Sequence, residues 1–153
     1  MTIVPLGADA QVTVVPVAAI AGLKRRLISL VYESLILAAV VLAGALPLVM
    51  LTRGWDHAVA RTTLQAWLII LSGFFYVWQW AGSGQTLPMK TWKLRLVTKN
   101  GSPVSTTGAL RRYVAALASL AMLGLGFAWA LVDREGQFLH DRLAGTKLVK
   151  TAE

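Results

Sequence analysis

Residues 27–51 read LISLVYESLILAAVVLAGALPLVML. These 25 residues hold one acid, Glu33, and no base. As a helix rising 1.5 Å per residue they reach about 37 Å, enough to cross a hydrocarbon layer of about 30 Å with some tilt. Two more apolar stretches follow, 62–81 and 113–132, each 20 residues long and without a charged side chain. An unpaired backbone amide costs several kcal/mol in lipid, so such stretches are expected to be helices. Composition agrees. Apolar residues make up 56% of the 153-residue chain before any of its 13 glycines is counted, and charged residues only 14%. Mean hydropathy is +0.62. A soluble domain of this size exposes too much of its surface to carry that load. The sequence therefore predicts an all-α membrane protein with two or three transmembrane helices. Residues 1–22 form an N-terminal tail and residues 23–150 the membrane domain. A secreted disulfide scaffold is excluded, since there is no cysteine.

The formal charge is +8. In a soluble chain that points to nucleic acid; here its placement sets orientation, and no nucleic-acid partner is expected. Lys24, Arg25 and Arg26 precede the first segment, and the loop after the second carries Lys90, Lys93, Arg95, Lys99, Arg111 and Arg112. The loop between the first two segments has only Arg53 and Arg61. Positive residues stay on the cytoplasmic side, so the N-terminus is expected in the cytoplasm. Trp55, Trp78, Trp80 and Trp129 lie near segment ends, where an interfacial belt places aromatic rings.

The third segment allows two arrangements. As a single crossing it exports the tail with Arg134, Arg142, Lys147 and Lys150. Broken at Gly124-Leu125-Gly126, it folds back and keeps that tail inside. The second arrangement lets residues 92–97, a short cytoplasmic strand-like segment between the second and third helices, pair with residues 147–149.

Glu33 lies about 9 Å into the first segment, where a bare carboxylate costs on the order of 2.5–3.5 kcal/mol. Arg26 is seven residues earlier, on nearly the same helix face and about 10 Å away along the axis, with Ser29 between them. The pair reads either as a shallow acid neutralised by its base or as a buried site that takes up a proton or cation. In the second segment Gln65, Ser72 and Gln79 are spaced by seven, and the antiparallel course brings Gln79 to the depth of Arg26 and Glu33. Such stripes serve as hydrogen-bonding contacts between helices or as a polar pathway. His57 and His140 have neither metal-ligand spacing nor catalytic context, so no metal, no cofactor and no enzymatic activity are expected.

The order of these features resembles the RDD family of bacterial membrane proteins. Arg26 matches the family's arginine at the start of its first helix, and Glu33 stands where an aspartate is usual. Gly84-Gln85-Thr86-Leu87 with Lys90 matches its loop motif, with Pro88 in place of a glycine. His140-Asp141-Arg142-Leu143-Ala144-Gly145-Thr146 matches its terminal motif. The resemblance covers residues 22–150. The resemblance implies a bacterial cytoplasmic-membrane protein. Contact with lipid is expected from the basic loop beside the membrane, and a homo-oligomer or a larger complex because two or three helices enclose little. Transport, including cation/proton exchange, is what has been suggested for the family. An acid at membrane depth beside a base agrees with a transporter or transporter subunit coupled to a proton or cation through Arg26, Glu33 and Asp141. Ser29, Gln79, Gln85, Thr86 and His140 would support that site. The alternative is an accessory or assembly protein whose polar residues fix helix packing and contact lipid.

Overall fold

The computed structural model describes residues 20–122 and 124–151. Helix α1, Leu23–Leu51, is followed after a short turn by α2, His57–Gly82. The carboxylate of Asp56 starts α2 by accepting hydrogen bonds from the amides of Ala58 (2.9 Å) and Val59 (3.3 Å), two of the donors every helix start leaves open. The two helices meet at Gly44. Its carbonyl accepts from the Trp67 indole at 3.0 Å, and a Cβ there would overlap the Leu71 side chain.

The loop after α2 is folded. Thr86 caps α3, Leu87–Thr91, by accepting from the Met89 amide at 3.3 Å. Pro88 sits in the first turn of α3, where no amide donor is needed. Strand β1, Leu94–Thr98, leads to α4, Thr106–Ala121. Residues 113–132 do not form one helix. After α4 the chain passes through Gly124, which is left-handed at φ 78°, into α5, Leu125–Ala128, and a 3₁₀ turn, Trp129–Leu131. The axis bends by 106° between α4 and this second piece. Gly126 makes the fold-back close: a Cβ there would overlap the hydroxyl of Ser119 on α4. Helix α6, Leu139–Ala144, ends at left-handed Gly145 and gives way to β2, Thr146–Lys150.

Strands β1 and β2 pair antiparallel, with Leu94 opposite Lys150 and Thr98 opposite Thr146. The fold is therefore mostly helical with a two-stranded sheet, a correction to the all-α expectation. The strand-like run begins at Leu94, because Lys93 takes a left-handed φ of 53° and breaks the extended chain before it. Ile20 bridges Val149 on the far edge of β2, and the Gly84 carbonyl accepts from the Leu96 amide (2.7 Å) beside β1. The end of the expected tail thus belongs to the sheet, while residues 1–19 lie outside the described residues. This pairing returns the C-terminal strand to the end of the bundle where α1 begins and α2 stops.

The compact core lies at that end, around Trp80, Met89, Leu94, Leu96, Ala109, Tyr113 and Leu148. Elsewhere the usual distribution is inverted. Leu35, Leu42, Ile70, Phe74 and Trp78 are each more than 60% exposed, while the buried residues of α1 are Arg26, Ser29 and Glu33. Large exposed apolar surface marks contact with an apolar medium or a partner. Both α1 and α2 are long and apolar enough to cross a membrane, and the bent pair makes a third candidate span. Trp55, Trp78 and Trp129 are exposed as a belt requires; Trp80 is buried and belongs to the interior instead.

Candidate functional site

Helices α1 and α4 both pack against α2, and a cavity of about 430 Å³ occupies the space left between them. Its ionisable side chains are Arg26 and Glu33 of α1, Arg112 of α4 and His140 of α6. Leu30, Leu37, Leu117, Leu120 and Phe127 are among its apolar wall.

Arg26 is 2% exposed. Its guanidinium donates to the Gly136 carbonyl at 2.7 Å and to the Leu148 carbonyl at 3.4 Å, so the first helix is tied to the loop before α6 and to β2. Glu33, two turns on, is 8% exposed and accepts from the Thr86 hydroxyl at 2.6 Å. That hydroxyl also caps α3, which fixes α3 against α1. Arg26 and Glu33 thus line one cavity but do not form an ion pair among the described residues. Their nearly shared face was legible from spacing; their partners were not.

Arg112 and Asp141 do pair. Arg112 Nη2 and Nε donate to Asp141 Oδ1 at 2.6 and 2.9 Å, with side chains 5% and 0% exposed. The guanidinium also lies 4.3 Å over the Trp80 ring, a cation–π contact. His140 Nε2 stands 3.7 Å from the same carboxylate oxygen. Burial, with the Arg112 charge as a second cause, pulls the His140 pKa down to about 4 against the opposing effect of Asp141. The imidazole is therefore neutral near pH 7.

Among the described residues, six buried side-chain polar atoms have no hydrogen-bond partner: Arg26 Nε, Ser29 Oγ, Trp80 Nε1, His140 Nδ1, Asp141 Oδ2 and Thr151 Oγ1. All but Thr151 belong to the cavity wall or, for Asp141, to the pair beside it. A second charged group stands outside the cavity. Asp133 accepts from Arg142 Nε at 2.6 Å and from the amides of Glu135 and Gln137, which holds its pKa down to about 2 and raises that of Arg142. It shapes the turn whose Gly136 carbonyl receives Arg26.

Residues 20–145 match the family model of the RDD family. The chain belongs to the RDD family. No curated protein and no solved structure matches it.

The structure brings together most of the residues singled out in this RDD chain. Arg26, Ser29, Glu33 and His140 line the cavity, with Thr86 bonded to Glu33 and Asp141 to Arg112. Gln85 is a structural tie, donating to the Leu94 carbonyl at 2.6 Å. Gln79 stays on its own helix, donating to the Phe75 carbonyl at 3.0 Å, and takes no part in the cavity wall. Of its stripe, Ser72 makes an interhelical contact, 2.7 Å from the Tyr113 hydroxyl. Spacing alone did not single out Arg112, Tyr113 or Trp80. The signal for Arg112 was present: Arg111-Arg112 opens the third apolar segment as Lys24-Arg25-Arg26 opens the first. Tyr113 fits only because Gly73 leaves room, since a Cβ there would come within 2.9 Å of the tyrosine ring.

Proposed function

We propose that this RDD protein is a multi-pass protein of the bacterial cytoplasmic membrane, working as a transporter or transporter subunit for an ion or small ligand coupled to a proton or cation. One observation carries the reading: the residues that α1 buries are Arg26, Ser29 and Glu33, and all three line the cavity, while Leu35, Leu42 and Leu46 on the same helix are exposed. Ionisable groups kept inside an apolar bundle are costly, and in membrane proteins they mark pathways. One chain encloses little, so the pathway forms between copies in a homo-oligomer or a larger complex. The N-terminus and the sheet lie on the cytoplasmic side, where most of the Lys and Arg residues then fall.

Flux of Na⁺, K⁺ or H⁺ into vesicles containing only this purified protein tests the transport reading. Flux abolished by Glu33→Gln in a protein that still folds supports it, and no flux for any ion or small ligand removes it. For the topology, single cysteines replacing Lys99 and Lys150 should both resist an impermeant thiol reagent in intact cells, while one replacing Arg53 should react. The accessory reading draws on the Thr86–Glu33 bond, which ties α3 to α1. It requires that Glu33→Gln change assembly or stability without any flux to lose.

A further inference from the structure

Of the four buried charges around the cavity, Arg112 and Asp141 neutralise each other. Arg26 and Glu33 remain. Among the described residues neither has an oppositely charged side chain at ion-pair distance. A guanidinium carries five N–H donors, of which the Gly136 and Leu148 carbonyls occupy two. A carboxylate has about four acceptor sites, and the Thr86 hydroxyl fills one at Glu33. Buried charges are ordinarily paired, because leaving water costs several kcal/mol for each ion. Here a cation and an anion line one cavity on nearly the same face of one helix, about 10 Å apart along its axis. Ser29 stands between them with an unpartnered hydroxyl. The rest of the wall is mainly leucine, phenylalanine and other apolar side chains. Its volume of about 430 Å³ lies within the usual range for small-molecule sites.

We propose that the cavity between α1 and α4 binds a zwitterion carried on an apolar body, with its oxyanion on Arg26 and its ammonium on Glu33. A purely anionic ligand leaves Glu33 unpaired and meets its charge; a purely cationic one does the same at Arg26. The apolar body lies along Leu30, Leu37 and Leu117 toward Leu120, which is 64% exposed and marks the way out of the cavity. Two sources supply such a ligand: a single-chain lipid with a phosphoethanolamine head, or a free apolar amino acid. The inference names the ligand class of the proposed transport site. Binding without flux removes transport and leaves the site, whereas flux without zwitterion binding does the reverse.

The test is equilibrium binding of four labelled probes to the full chain in a neutral detergent. They are a twelve-carbon lysophosphatidylethanolamine, leucine, dodecyl methyl phosphate (a phosphodiester with one negative charge) and dodecylammonium. One of the two zwitterions should bind at least about tenfold tighter than either singly charged probe, the worth of one charge-assisted hydrogen bond. Which of the two binds identifies the source. Glu33→Gln keeps an acceptor for Thr86, and it should erase the preference for that zwitterion over the anionic probe. If neither zwitterion outbinds the anion and the cation, the proposal is wrong, and the unpartnered groups are served by water. If the folded Glu33→Gln protein keeps the preference, the assignment of the ammonium to Glu33 is wrong.

Discussion

Arg112 and Asp141 lie 2.6 Å apart with almost no solvent exposure, whereas Arg26 and Glu33, nearly as buried, find only neutral partners. The first pair joins α4 to α6 and closes on itself, apart from one carboxylate oxygen left without a bond. The second couple spends part of its hydrogen-bonding capacity on α3, β2 and the loop before α6, and keeps the remainder for the cavity. Equal burial therefore does not mean equal function. A charge that meets its counter-charge inside the chain is a fastening, and one that meets carbonyls and hydroxyls remains available to a ligand.

The strongest way to break this contrast is to remove one side of the closed pair. Asp141→Ala leaves a buried guanidinium alone and should cost about 3–5 kcal/mol of stability. Thermal unfolding in detergent measures it, and the double change Arg112→Met with Asp141→Leu should recover most of the loss. A cost for Asp141→Ala no larger than that for Glu33→Gln would erase the distinction between the two systems.

Acid should attack the same side. His140 keeps its proton off down to about pH 4 in the fold, against 6.5 as its ordinary value. Between those limits the unfolded chain binds a proton that the folded chain refuses. Stability is then full above pH 6.5 and declines as pH falls toward 4, by up to about 3 kcal/mol. His140→Gln should flatten unfolding curves across that window. A slope that persists in the variant would move the titration to another group.

On the open side the losses should be smaller. Thr86→Val leaves the Glu33 carboxylate without its hydroxyl and should cost about 1–3 kcal/mol. Smallest of all is the coupling of Arg26→Ala with Glu33→Gln. Without ligand, the two stability losses should add to within about 0.5 kcal/mol, because the residues have separate partners. A bound zwitterion should introduce coupling. Strong coupling in its absence would mean that the two charges already act on each other, as their spacing alone had indicated.

Hydropathy sufficed for the two long helices, because a chain with this much apolar surface has few ways to satisfy its backbone in lipid. Spacing sufficed for the face shared by Arg26, Ser29 and Glu33, since the period of one helix is a local property. The pairing of residues 147–149 with the strand-like run was legible as an alternative, once Gly124 and Gly126 offered a break. The choice of partner for each buried charge was not legible. Glu33 with Thr86, Arg112 with Asp141 and Arg26 with the Gly136 carbonyl join residues 53, 29 and 110 positions apart. No local pattern ranks such contacts against one another. They follow from how closely helices approach, and that depends on small residues at particular points: Gly44 under Leu71, Gly73 under Tyr113 and Gly126 under Ser119. Packing at those three glycines gathers the charges around one cavity and determines which of them neutralise each other inside the protein.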